Sequence, residues 1–133
     1  MTTQLINDTG FVADDWTRGF CPMGEAANDV CGLDVPSDTD PATIPLNADA
    51  IRIDFPSSAD GRGFTIARML RLRGFSGRLR ARGHVIADQY TMARRSGFDE
   101  VEIPQDLAAR QPEDQWQFRA NWQDHHYQAR LRG

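Results

Sequence analysis

The sequence predicts a single α/β domain of consecutive β-α-β-α-β units, a parallel sheet with its helices on one face. Three observations predict it. Between residues 50 and 103, three short segments of period-two alternation are interleaved with two stretches of helical periodicity. Each helical stretch stops at a glycine, Gly74 or Gly97, the usual residue just past a helix end. All three alternating segments are apolar on one face only, whereas strands of a doubly wound sheet, covered on both faces, read as near-continuous apolar runs. The expected architecture is therefore a piece of a β/α-barrel. An α+β sandwich of antiparallel strands with one open face is the alternative.

The elements follow in order. Residues 1–49 read as an irregular acidic part with a short strand around Phe11–Trp16 and another near Val30–Val35. Pro36–Pro45, with Asp38, Asp40 and Pro41, reads as a loop holding at most one helical turn. Ile51-Arg-Ile-Asp-Phe55 alternates as a half-buried strand. Phe64 to Arg73 reads as a helix, with Ile66, Met69 and Leu70 on one stripe and Arg68 and Arg71 opposite. Asp60 is its N-cap candidate, and Arg71 and Arg73 suit the negative end of its dipole. Arg78-Leu-Arg-Ala-Arg82 is the second strand, Ala87 to Ser96 the second helix, and Asp99-Glu-Val-Glu-Ile103 the third strand, ended by Pro104. From Gln105 onward, residues 104–133 read as a partly helical tail, interrupted by Pro112. Its Trp116, Phe118, Trp122 and Tyr127 supply aromatic area for docking on the core.

Charge is sharply segregated along this plan. All 15 basic residues are Arg. Nine of them fall between Gly61 and Arg95, where Asp88 is the only acid, so that segment carries +8. Residues 1–60 carry −9 and residues 96–133 carry −3. Such a segment either binds an anion or acidic partner or is neutralised by the chain's own acids. The acidic N-terminal third has the charge to cover it, and Glu100 and Glu102 are placed to pair with Arg80 and Arg82 on a neighbouring strand.

Composition excludes several functions. The lack of Lys removes Schiff-base chemistry and the P-loop. No GxSxG or HExxH is present. A net charge of −4 argues against duplex nucleic-acid binding. No apolar run approaches membrane-spanning length, and the start lacks a signal-like apolar region, so a cytoplasmic protein is expected. Cys21 and Cys31 read as two reduced thiols, with a disulfide or redox pair as the alternative. No His/Cys/carboxylate spacing suggests a metal site; the adjacent His125 and His126 do not share one face. No cofactor is expected.

Parallel β/α folds place ligands at the C-terminal ends of their strands. Three loops should meet there: Pro56–Gly63, Gly83–Asp88 and the turn after Ile103. Gly61 and Gly63 let a backbone approach an anion before a helix N-terminus, Arg62 adds a fork for an oxyanion, and Arg80 and Gln89 extend the set. Asp60, Asp88 and His84 are the candidate catalytic groups. Arg68, Arg71 and Arg82 form the candidate partner surface. As a dinucleotide fingerprint Gly61-Arg-Gly63 is incomplete, because Ile66 stands where a third Gly belongs.

Three runs carry a family resemblance: Asp60-Gly-Arg-Gly-Phe-Thr-Ile-Ala-Arg-Met-Leu-Arg71; Gly77-Arg-Leu-Arg-Ala81 followed by Asp88-Gln89; and Arg95-Ser-Gly-Phe-Asp99. In order and spacing the chain resembles the bacterial domain-of-unknown-function family 934 over about residues 50–103, plus Tyr127-Gln128. Members of that family are typically encoded beside the genes of assimilatory sulfate reduction. They are often labelled oxidoreductases of sulfite reduction, without an established reaction. Two positions depart from the family's pattern. His84 stands where the family has Asp, and Arg82 replaces an apolar residue, so no role of that Asp carries over.

The resemblance implies an accessory protein that docks on sulfite reductase or another sulfate-assimilation enzyme, or that holds a small oxyanion, in the cytoplasm and away from nucleic acid and membrane. A small oxidoreductase or lyase acting on a sulfur oxyanion or a phosphorylated ligand is the second reading. A structural module that homodimerises by burying its charged face is the third.

Overall fold

The computed structural model describes residues 3–22 and 32–119. Cys31, Trp122, His125, His126, Tyr127 and Gln128 lie outside the described residues, as does the Phe118 side chain. One seven-stranded sheet organises the chain: β1 (Thr3–Asn7), β2 (Gly10–Val12), β3 (Cys21–Pro22), β4 (Gly32–Val35), β5 (Ala50–Phe55), β6 (Arg78–Gly83) and β7 (Glu100–Pro104). Its spatial order is β2-β1-β7-β6-β5-β4-β3. Strands β3 to β7 are parallel neighbours in chain order, while β1 pairs antiparallel with both β7 and β2. The parallel β-α-β-α-β core is thus as expected, and its antiparallel alternative is not found.

The helices are α1 (Arg62–Leu72), α2 (Tyr90–Ser96), α3 (Gln105–Arg110) and α4 (Glu113–Arg119), with single 3-10 turns at Pro41–Thr43 and Ala87–Gln89. Consecutive parallel strands laid down in one direction put their crossovers on one side of a sheet. Accordingly α1 packs against α2, and α2 against α4. Between helices and sheet lies the core: Ile51, Ile53, Phe55, Leu79, Ala81, Val101 and Ile103 meet Phe64, Ile66, Leu70, Tyr90 and Ala93. Phe55 anchors it, with its ring 5.0 Å from that of Phe64 and 5.8 Å from that of Phe98. Trp116 docks the start of the tail: it is buried, stands edge-on to Tyr90, and donates from Nε1 to the Gln111 carbonyl.

Two expectations need correction. The strand anticipated at Phe11–Trp16 is instead the short β2, entered from β1 through a turn in which Thr9 donates from its backbone N and its Oγ1 to Asn7 Oδ1. Gly10 follows with φ +113°, a conformation that favours glycine. The signal for β1 was weak because Leu5 and Ile6 are adjacent and do not alternate, yet both are buried. Met69 also leaves the core stripe of α1. It is 41% exposed, and Gly63, Phe64 and Ala67 complete the buried face with Ile66 and Leu70.

Candidate functional site

The open face of the sheet is an ion-pair lattice. Arg52 on β5, Arg78 and Arg80 on β6, and Glu100 and Glu102 on β7 sit on one face because strand residues alternate. Register does the rest, setting Arg80 opposite Glu100 and Arg82 opposite Glu102. Arg80 Nε donates to Glu100 Oε2 (2.6 Å) and its Nη1 to Glu102 Oε1 (2.9 Å). Arg78 forks onto Glu100 at 2.8 and 2.7 Å. Arg52 forks onto Asp34 at 2.6 and 2.8 Å and reaches Glu102 at 3.1 Å.

Residues 14–20 close over this lattice. Asp14 accepts from both Nη atoms of Arg80 (3.0 and 2.9 Å), and Asp15 accepts from Arg78. The Phe20 ring lies under the guanidinium of Arg52 at 4.2 Å and near that of Arg80 at 5.4 Å. Hydrogen bonding from Arg80, aided by its charge and that of Arg78, outweighs burial and holds the Asp14 carboxyl below its ordinary pKa. Burial pushes Glu102 up, but the hydrogen bond from Arg80 and the charges of Arg52 and Arg80 leave it below its ordinary value as well.

This geometry revises Arg80 as an anion ligand. It is 1% exposed, and its guanidinium is occupied by three carboxylates. The acidic N-terminal part and the Glu100/Glu102 pair both neutralise the Arg-rich segment, as the charge pattern allowed.

The Asp60–Gly63 loop is likewise satisfied from within. Asp60 Oδ1 accepts from the backbone N and Nε of Arg62, and Oδ2 accepts from Arg62 Nη2 at 2.7 Å. Ser37 Oγ joins them, donating to Asp60 and accepting from Arg62. The hydrogen bonds from the Arg62 side chain and backbone hold the Asp60 carboxyl far below its ordinary pKa. The anion at the start of α1 is the chain's own carboxylate, which occupies the place expected for an oxyanion. Gly61 is exposed at the N-cap. Gly63 serves packing, since a Cβ there would stand 2.4 Å from the Phe55 ring.

The remaining candidates separate. Arg71, expected on the partner surface, acts as a staple within the fold. It donates twice to the Gly97 carbonyl (3.0 and 2.7 Å) and once each to those of Phe75 (3.0 Å) and Gly77 (2.8 Å), tying the ends of α1 and α2 together. Gln89 holds the turn before α2, accepting from Ile86 N and donating to the Ser58 carbonyl. Asp88 is exposed on that turn. Arg68 does face outward, as expected.

Three groups do gather at the C-terminal ends of the parallel strands, on the open face. Asp54 on β5 and Arg82 on β6 are partners in register. Two adjoining clefts, of about 280 and 270 Å³, share both residues. Arg52, Asp34, Val35 and Pro36 line the first, and His84, Glu102 and Thr3 the second. The expected meeting of three loops occurs at the second, where Pro56, Gly83 and Pro104 form the rim. Arg82 differs from its β6 neighbours. Its nearest charged partner among the described residues is Glu102 at 3.9 Å, beyond hydrogen-bond distance. Asp54 was legible as a charged-face residue, but its pairing with Arg82 depends on register that no local pattern encodes. Arg82 and His84, the two departures from the family pattern, both line the second cleft.

Fold and site together define a small α/β protein with one covered and one ion-paired sheet face, and with a cleft-lining acid and arginine, Asp54 and Arg82, at the strand ends. The chain belongs to the family described as bacterial protein of unknown function (DUF934), whose model matches residues 32–133. No curated protein matches the chain. No solved structure matches it either.

Proposed function

We propose that the protein is a cytoplasmic accessory of sulfite reduction that docks on an acidic, partly apolar surface of sulfite reductase. The metabolic setting rests on the family resemblance. The docking face rests on one observation: α1 and α2 pack side by side without a single acidic residue, in a chain of net charge −4. Their outward faces carry Arg68 and Arg95 together with Met69 (41% exposed), Leu72 (74%) and Met92 (54%). Arg68 and Leu72 lie one helical turn apart, as do Met92 and Arg95, so cationic and apolar groups alternate on one surface. Such a surface complements a partner that offers carboxylates around an apolar patch. No described helix is long and apolar enough to cross a membrane.

An oxyanion-handling enzyme has less support in the geometry. Arg62 and Arg80, the arginines it would use, are held by Asp60 and by Asp14, Glu100 and Glu102.

An affinity pull-down from cells growing on sulfate as the only sulfur source tests the docking reading, with Arg68→Glu/Arg95→Glu run in parallel. Wild type should retain sulfite reductase and the charge-reversed variant should lose it. Equal recovery by both, or recovery by neither, would overturn the reading.

A further inference from the structure

We infer that the clefts around Asp54 and Arg82 form a binding site for a small zwitterion, of the α-amino-acid type. The site lies on the open sheet face at the strand ends, away from the helical surface assigned to docking, and stands or falls independently of it.

Arg52 and Arg80 are committed to the ion-pair lattice. Asp54 enters no ion pair among the described residues, and Arg82 has only a long one, to Glu102 at 3.9 Å, with no hydrogen bond. They are nearest neighbours across two parallel strands, yet they form no ion pair with each other, and neither has a hydrogen-bonded partner among the described residues. Asp54 is half-buried, and the Arg82 side chain is 47% exposed. An acid and a guanidinium side by side, both opening into the same clefts, present one acceptor and one fork of donors to a common visitor.

Charge selects the visitor. Arg52 and Arg82 are outnumbered in the lining by Asp34, Asp54 and Glu102. These five groups together carry −1, which disfavours a dianionic sulfate or phosphate and leaves room for a ligand of zero net charge. An ionised Asp54 only accepts hydrogen bonds, so the ligand must bring a donor, and an ammonium is the donor that the surrounding carboxylates favour. Arg82 calls for a carboxylate in bidentate geometry. The exposed His84 imidazole adds a hydrogen-bonding group at the rim. Size agrees: clefts of about 280 and 270 Å³ fall just below the range typical of drug-sized ligands. The apolar walls of Val35, Pro36 and Pro22 on one side, and Pro56 and Pro104 on the other, can take a short side chain.

Calorimetric titration with the free L-amino acids tests the site. Acetate, lactate, ethylamine, sulfate and phosphate serve as comparison ligands, and Arg82→Gln and Asp54→Asn as variants. The expected result is saturable binding of at least one amino acid. Acids lacking the amino group and the amine lacking the carboxylate should bind at least tenfold more weakly. Each variant should lose at least tenfold in affinity for the amino acid while melting within a few degrees of wild type, since neither side chain is hydrogen-bonded within the described fold. Absence of binding by every amino acid, tighter binding of sulfate or phosphate, or unchanged affinity in both variants would each overturn the assignment.

Discussion

Asp14 clamps Arg80 across 66 residues of chain, one carboxylate oxygen on each Nη of the guanidinium, at 3.0 and 2.9 Å. The clamp explains how a sheet face so rich in Arg exists without an outside anion. Glu100 takes Nε and Glu102 a second hydrogen of Nη1 from the next strand, and the Phe20 ring lies 5.4 Å from the group. A guanidinium with planar, forked donors can serve three carboxylates at once, which an ammonium cannot do with the same geometry.

Removing Arg80 should therefore cost more than any other change on this face. In Arg80→Met, Glu100 and Glu102 stay buried and keep only Arg78 and Arg52 as close partners, so the loss should lie toward the lower end of the about 3–5 kcal/mol that breaking a buried pair costs. Arg80→Lys should recover only part of this. Urea denaturation at neutral pH measures both. A loss below 1 kcal/mol in Arg80→Met would show that the lattice does not hold the face together.

The lattice also sets a pH dependence. Glu102 and Asp14 have lowered pKa values in the folded chain. The unfolded chain therefore takes up their protons first as pH falls, and the stability they contribute is present above their ordinary values of 4.5 and 3.8 and lost below them. Wild-type melting temperature should fall as pH drops below about 4.5. In Arg80→Met the Glu102 carboxyl keeps its burial and loses its main hydrogen bond, so its pKa should rise and the variant should lose less stability than wild type on acidification. The difference between the two proteins should then shrink from pH 7 to pH 4. A constant difference across that range would contradict the assigned pairing.

Arg71→Ala should destabilise the fold without altering partner binding once the protein is folded. The guanidinium satisfies the carbonyls of Phe75, Gly77 and Gly97, and hydrogen bonds of a charged group contribute about 1.5–3 kcal/mol each in mutational series. A loss of about 2 kcal/mol is expected. Thermal melting reads the loss, and the pull-down at 10 °C reads the partner. Wild-type stability with lost partner recovery would return Arg71 to the docking surface.

Gly63→Ala tests whether the Asp60–Gly63 loop is built for packing. Alanine is the better helix former, by about 1 kcal/mol over glycine. Its methyl would nevertheless press against the Phe55 ring at 2.4 Å, and overpacking of this kind costs about 1–3 kcal/mol. The net effect should be destabilising. Gly61→Ala, where the nearest side-chain atom is 4.0 Å away, should be close to neutral. A stabilised Gly63→Ala protein would mean that Phe55 yields easily.

Much of the fold was legible because its code is local. Alternation in Ile51–Phe55 marks β5, found at Ala50–Phe55, and the stops at Gly74 and Gly97 bound the two helices to within two residues. The one-sided apolar strands predicted helices on a single face, because a strand with one charged face can be covered by apolar side chains only on the other. The site was less legible. Of the residues expected to hold an anion, Gly61, Arg62, Gly63 and Arg80 are engaged in capping, packing or ion pairs, while Asp54 carried no motif that set it apart.

What the sequence determined by itself was the content of the molecule: its strands and helices, the family, and an excess of arginine that something had to neutralise. Only the tertiary structure decided what neutralises it. Periodicity fixes which face a side chain occupies, but whether Arg80 meets Glu100 and Asp14, or Arg82 lies beside Asp54 with only a long contact to Glu102, depends on strand register and on where residues 14–20 cross the sheet. Those are long-range choices made by the whole core at once. A shift of two residues in β6 would leave every local pattern intact and exchange the half-exposed arginine for a buried one.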